Sequence, residues 1–284
     1  MTMKTTIIPE DQKIEIKDEI KRKPTIGVYA LTSCYGCQLK IATVSKIIEI
    51  ADSVDIESFY MLSSASSMHK KVDIAFVEGS VSTKKDLEEL LEIRKNSKTL
   101  VGVGACALQG GVQSWNHGDK NYKDLFENVY GKSKIEIAEA IEAKPIEEYV
   151  KVDFRLPGCP PEEEEIIYFI STFLFGSWPE EKDYPVCQEC RFAGNICLLI
   201  EKNEPCLGSI TTAGCNARCI SYNIPCIGCR GPVPNDVAWF DSLAKVFVEK
   251  GFTEEYIRER MKIFGSHHPK LEELLTKVFG REKK

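Results

Sequence analysis

Cysteine is the residue type that carries the chemistry in this chain: there are twelve, and their spacing is uneven. Cys34 and Cys37 stand three apart in LTSCYGCQLK (residues 31–40), directly after an apolar run. Cys106 lies in VGVGACALQGG and Cys159 in FRLPGCPP. The other eight read Cys187-x2-Cys190-x6-Cys197-x8-Cys206-x8-Cys215-x3-Cys219-x6-Cys226-x2-Cys229. A C-x2-C pair alone fits a redox dithiol, half of a zinc site or half of an iron–sulfur site. Disulfides are disfavoured in a reducing compartment, so a large cysteine count there points to metal. Zinc ribbons pair two C-x2-C knuckles a dozen or more residues apart, and the separations here are mostly irregular. Iron–sulfur clusters gather thiolates from several loops and tolerate such spacing, which favours them over zinc.

The elements that must position these thiols alternate. Ile26–Leu31, Val54–Tyr60, Val72–Glu78, Thr99–Gly104 and Val152–Leu156 read as apolar strands. Helical periodicity marks 38–50, 84–95, 135–143 and 162–175, with Thr83 or Ser82 and Asp86 suited to start the second. Continuous apolar strands alternating with helices predict an α/β, flavodoxin-like, doubly wound parallel sheet. Ligands of such sheets bind at the carboxyl ends of the strands. Cys34, Cys37, Cys106 and Cys159 all follow strands there, which predicts one four-cysteine site at the switch point. Gly104, Gly110, Gly111 and Gly158 let backbone approach a bulky group closely.

The texture changes after 173–185 (FLFGSWPEEKDYP). Residues 187–229 carry eight cysteines and few apolar runs, so bound metal is expected to help hold this segment together. Beyond Asp236, VAWFDSLAKVFVEKGF and EEYIRERMKIFG read as amphipathic helices, with a third ending near Phe279. The expected organisation is a charged N-terminal extension (1–23), a flavodoxin-like domain (24–176) and a smaller cysteine-rich iron–sulfur domain with C-terminal helices (177–284).

A net charge of -6, with no basic block beyond Lys21-Arg22-Lys23, argues against a nucleic-acid binder. The longest apolar run, Ile166–Phe175, is too short to span a bilayer. The first 23 residues lack the apolar core of a signal peptide, so a cytoplasmic protein without a membrane partner is expected.

YALTSCYGCQL, VEGSVST, GSWPE, CNARC, IPCIGCRGP and VAWFDSLAKVF resemble the small subunit of [NiFe] hydrogenases over roughly residues 24–265. The likeness is to the delta subunit of soluble archaeal sulfhydrogenases and to the cytoplasmic F420-nonreducing type. It implies three [4Fe–4S] clusters. Cys34, Cys37, Cys106 and Cys159 would hold the proximal one, Cys215, Cys219, Cys226 and Cys229 the medial, and Cys187, Cys190, Cys197 and Cys206 the distal. Periplasmic relatives have histidine where this chain has Cys187, and often proline where it has Cys219. Both departures match the cytoplasmic branch, as does the lack of a twin-arginine leader and of a hydrophobic C-terminal anchor.

The resemblance also implies a chain without catalytic residues of its own. H2 would be split at a Ni–Fe centre in a large (alpha) subunit. Electrons would pass through this chain to iron–sulfur (beta) and flavin, NAD(P)-binding (gamma) subunits, in a hetero-oligomer expected to be a heterotetramer. The acceptor would be NAD(P)+ or polysulfide. Two rivals remain at this stage: a subunit of a complex I-like quinone oxidoreductase, and a zinc-stabilised scaffold.

Residues outside the cysteine sets invite plainer roles. His69, His117, His267 and His268 have no second ligand at recognisable spacing and read as solvated or structural. Glu78 ends a strand near the first four cysteines, suited to tuning that site, to a partner contact, to helix N-capping or to loop hydrogen bonding. Trp115, Trp178 and Trp239 read as core or interface anchors, Trp178 as packing between domains. Glu162–Glu165 opens a helix, where acids complement the dipole. The charged run 10–23 reads as a solvated face.

Overall fold

A computed structural model describes residues 22–115, 122–131, 140–234 and 239–280. Five strands, β1 (Thr25–Ala30), β2 (Asp55–Phe59), β3 (Val72–Glu78), β5 (Ser97–Val103) and β7 (Phe154–Leu156), form one sheet in the order β2-β1-β3-β5-β7. Every neighbouring pair is parallel. The order reverses between β1 and β3, so the switch point opens where β1 and β3 end. This is the predicted flavodoxin-like winding.

The strands alternate their side chains between two cores. On one face Val28, Ile74, Phe76 and Phe154 pack against Ile166 and Phe169 of α6 (Glu163–Leu174). Phe76 and Phe169 meet edge to face at 5.5 Å between ring centres. On the other face Ala75, Val77 and Leu100 pack against Leu90 and Ile93 of α3 (Lys84–Asn96). Thr83 and Asp86 form a reciprocal capping box at the start of α3, as their spacing predicts.

Two predicted helices differ. The stretch 38–50 divides into α1 (Gly36–Ala42) and α2 (Ile47–Ser53). Val44 turns into the core between them, and the Ser45 amide donates to Glu163 Oε1 at 2.8 Å instead of continuing a helix. The helix expected over 135–143 is contradicted where it is described. Ala140–Lys144 is strand β6, paired antiparallel with β4 (Val81–Thr83), while 135–139 lies outside the described residues. Pairing with a strand about sixty residues earlier overrides the local periodicity. α4 (Gly104–Gln109) and α5 (Tyr122–Tyr130) complete this half.

The second half contains α7 (Val186–Phe192), α8 (Leu198–Glu201), α9 (Arg218–Ser221), α10 (Trp239–Glu249), α11 (Glu254–Lys262) and α12 (Leu271–Phe279). The cysteine-rich segment is less bare than its sequence suggests. Val186, Leu198, Leu207 and Ile220 pack against Phe240, Phe247, Ile257, Met261 and Leu275 from α10–α12. The two halves are tied by Arg218 to Glu162, Ser114 Oγ to Ser266 Oγ (3.1 Å) and His267 Nε2 to the Ala143 carbonyl (3.0 Å).

Asp73 anchors the start of β3 to β1. Its carboxylate accepts both Arg22 guanidinium nitrogens at 2.9 Å and the Thr25 amide at 2.8 Å. Burial works against ionisation, but Arg22, Thr25 and Lys98 outweigh it and hold this carboxyl at about 2. A lowered value means the stabilisation is fully present above pH 4 and fades only as pH falls towards 2. Asp73→Asn should therefore cost about 1–2 kcal/mol, unchanged between pH 5 and pH 8 in thermal unfolding. A cost that varies across that range would contradict the ion pair.

Candidate functional site

The first four cysteines converge at the carboxyl edge of the sheet. After β1, Tyr35 adopts a left-handed conformation (φ 63°) that turns the chain into α1, with Cys34 just before it and Cys37 in its first turn. Glu78, the last residue of β3, accepts the Cys37 amide on Oε2 at 3.0 Å. Cys37 is the second residue of α1, so helix N-capping is what Glu78 does in this structure. Cys106 lies in the first turn of α4, after β5, and Cys159 lies two residues beyond Pro157 in the loop after β7. The Cys106 thiol donates to Gln113 Oε1 at 3.7 Å, and Gln113 Nε2 donates to Ser80 Oγ at 2.8 Å and to the Thr32 carbonyl.

The backbone is fitted closely to these sulfurs. Gly104 has φ +81°, and a Cβ there would lie 2.4 Å from Cys37 Sγ. Gly111, at φ +69°, would place one 2.7 Å from Cys106 Sγ. Burial, then Glu78, Cys106 and Cys159, push the Cys37 thiol far above its usual range. Cys106 and Cys159 are raised too, by burial first and by their neighbours Cys159 and Cys34 after it.

Cys187, Cys190, Cys197 and Cys206 form a second group. Cys187 and Cys190 are one helical turn apart on α7, and Cys197 caps α8. Burial, then Cys206, Cys190 and Cys197, push Cys187 up to about 12. Cys215, Cys219, Cys226 and Cys229 form the third. Left-handed Ala217 turns the chain into α9, which carries Cys219. Burial, then Cys215, Cys159 and Cys219, push Cys229 up to about 11. Burial also takes Cys226 to about 12, against the hydrogen bond to Thr211.

The groups lie in series. Arg230, the residue after Cys229 of the third, donates to the Pro157 carbonyl two residues before Cys159 of the first, and the Cys226 amide donates to Cys206 Sγ of the second at 3.3 Å. Among the described residues, no three Cys, His, Asp or Glu side chains draw together as ligands of one metal ion. The raised values mean that these sulfurs hold their protons when nothing positive neutralises them. A bound cation would have to displace those protons and supply the missing positive charge. Sets of four soft sulfurs, each set with one or two exposed members (Cys34 and Cys159, Cys197, Cys219) and the rest half-buried or buried, fit a polynuclear iron–sulfur group gathered from several loops.

The remaining candidates stand apart from the cysteines. His69 is exposed beside Glu92, His267 bonds the Ala143 carbonyl, and His268 lies against the Phe240 ring at 5.0 Å. His117 and the run 10–21 fall outside the described residues, as does the side chain of Trp239. Trp178 packs edge-on against Phe154 at 6.3 Å, and Trp115 is half-buried. The acids of 162–165 do more than face a helix dipole: Glu163 pairs with Lys40 and Glu165 with Arg230. Gln113 and Arg230 carry no signal in spacing or composition, because what they touch is distant in sequence.

Residues 34–173 match the family described as NADH ubiquinone oxidoreductase, 20 Kd subunit. That span includes Cys34, Cys37, Cys106 and Cys159 but stops short of the other eight cysteines. The sulfhydrogenase 2 subunit delta of Pyrococcus furiosus is 38% identical over 242 residues, which cover 84% of this chain and 98% of that one. The chain belongs to the [NiFe] hydrogenase small-subunit family. A second relative, a subunit of the F420-non-reducing hydrogenase of Methanocaldococcus jannaschii, is 28% identical over 80% of this small subunit and 88% of its own length. Among solved structures, a chain of an NAD+-reducing [NiFe]-hydrogenase in the H2-reduced state matches with a TM-score of 0.50 and 30% identity. The match covers 56% of this small subunit and 95% of that chain. In this family the Ni–Fe site that acts on H2 lies in a separate large subunit, and small subunits carry iron–sulfur clusters. Among the described residues no helix is long and apolar enough to cross a membrane.

Proposed function

We propose that this small subunit relays electrons through three [4Fe–4S] clusters. Cys34, Cys37, Cys106 and Cys159 hold the proximal cluster, Cys215, Cys219, Cys226 and Cys229 the medial, and Cys187, Cys190, Cys197 and Cys206 the distal. The observation that carries this reading is the linked arrangement of the three thiol groups: Arg230, next to Cys229, bonds the Pro157 carbonyl two residues before Cys159, and the Cys226 amide bonds Cys206 Sγ. When bound, such clusters accept and release one electron with little rearrangement. The chain's own part is to bury the thiols, fix their loops and exclude water.

The relay runs from the large subunit to iron–sulfur (beta) and flavin (gamma) subunits, in a cytoplasmic heterotetramer that reduces NAD(P)+ or polysulfide. The Pyrococcus relative is named a sulfhydrogenase delta subunit, which supports that assembly. Separate apolar cores in the two halves support a division into domains 24–176 and 177–284. A zinc scaffold would need four thiols around single ions, and a complex I-like subunit leaves the last eight cysteines without a role.

Cys37→Ala in the assembled complex tests the relay. Reduction of the acceptor should fall by about 100-fold, the upper range for disrupting a metal site, while H2/D+ exchange at the large subunit continues. Normal acceptor reduction in that variant would refute the relay.

A further inference from the structure

Between the first and third cysteine groups lies a buried guanidinium. Arg230 follows Cys229 directly and is 2% exposed. Its Nε donates to the carbonyls of Thr212 (3.1 Å) and Ala213 (2.9 Å), just before Cys215. Nη1 donates to the Pro157 carbonyl at 2.9 Å, two residues before Cys159. Nη2 meets Glu165 Oε1 on α6 at 2.7 Å. One side chain therefore pins three segments, bearing Cys159, Cys215 and Cys229. A Cβ at Gly214 (φ +129°) would collide with both Arg230 Nη2 and Glu165 Oε1, so the loop before Cys215 is moulded to this pair.

The charges around it are few and defined. Lys182 Nζ lies 3.6 Å from Glu165 Oε1 and 3.9 Å from Glu189 Oε1. Glu189 Oε1 accepts the Gly214 amide at 2.8 Å. The guanidinium stands on the residue after Cys229 and bonds the Ala213 carbonyl two residues before Cys215, so its positive charge lies beside both segments. A buried ion pair is poor value as a stability device, since an apolar pair of similar volume commonly serves as well. A fixed cation beside a redox site has a different consequence. Reduction adds one negative charge, which the cation stabilises strongly where water is excluded.

We infer that Arg230 is the positioning residue of the medial site, fixing its loops against Cys159 and raising its affinity for an electron, with Glu165 as the opposing counter-charge. This inference rests on the assignment of Cys215, Cys219, Cys226 and Cys229 to a cluster.

The test is a redox titration of the native complex, followed by electron paramagnetic resonance, with iron counted per small subunit. Arg230→Gln should move the medial midpoint to more negative potential and leave the distal one in place. Glu165→Gln should move the medial midpoint the opposite way. Arg230→Lys keeps the charge but loses the fork, so its midpoint should lie between wild type and Arg230→Gln. Should Arg230→Gln assemble without a medial cluster, losing about four irons per small subunit, the positioning role is upheld and Glu165→Gln decides the charge effect. Unchanged medial midpoints in the assembled variants, or shifts of the same sign for Arg230→Gln and Glu165→Gln, would overturn it. A wild-type complex lacking a medial signal would instead strike the cluster assignment, and this inference with it.

Discussion

Gly104→Ala should remove the proximal cluster while leaving the fold in place. The new methyl group would lie 2.4 Å from Cys37 Sγ, well inside van der Waals contact, at a backbone φ of +81°. A left-handed alanine alone costs about 1–2 kcal/mol, which a domain of this size withstands. The collision with the sulfur of Cys37, a ligand in the proposed relay, is the larger effect. About four irons per small subunit should be lost, and acceptor reduction should fall by about 100-fold, with H2/D+ exchange retained. Gly131→Ala is the matched control, since Gly131 also has positive φ (+67°) but among the described residues nothing stands within 4 Å of a Cβ placed there. It should lose about 1 kcal/mol of stability and no iron. Full iron and full turnover in Gly104→Ala would show that Cys37 is not held where the structure places it.

Cys219→Pro should convert the medial cluster to a three-iron form. Cys219 is exposed and is the second residue of α9, whose amide is among those without an intrahelical partner. Proline there removes a thiolate without breaking a helical hydrogen bond. A four-iron cluster with one iron lacking its thiolate loses that iron readily, and the three-iron product sits at higher potential. A high-potential middle station traps electrons moving from NAD(P)H towards H2. H2 evolution from NAD(P)H should slow on the order of tenfold, and dye-linked H2 uptake much less. Equal losses in both directions, with no three-iron signal, would contradict the role of Cys219.

The sheet and the first thiol group were legible because their information is local. Continuous apolar strands such as Val72–Glu78 can only be buried on both faces, and Cys34, Cys37, Cys106 and Cys159 each follow a strand end. The grouping of the last eight cysteines was not legible from spacing, because Cys187 and Cys206 meet through a fold that their separation does not encode. Resemblance to relatives carried that assignment. The strand Ala140–Lys144 was misread for a related reason: its partner Val81–Thr83 lies far upstream, and its own residues suit a helix equally well. Arg230 was invisible for the same cause, since its importance lies in the carbonyls of Pro157, Thr212 and Ala213. The apolar support under the cysteine-rich segment comes from α10–α12, whose amphipathic pattern was plain but whose docking face was not.

Whether the twelve cysteines bind three four-iron clusters is decided by the iron and acid-labile sulfide content of the anaerobically prepared small subunit. Three clusters require about twelve irons and about twelve sulfides per chain, with no stoichiometric zinc. About four irons per chain, or zinc in place of iron at the last eight cysteines, would contradict it.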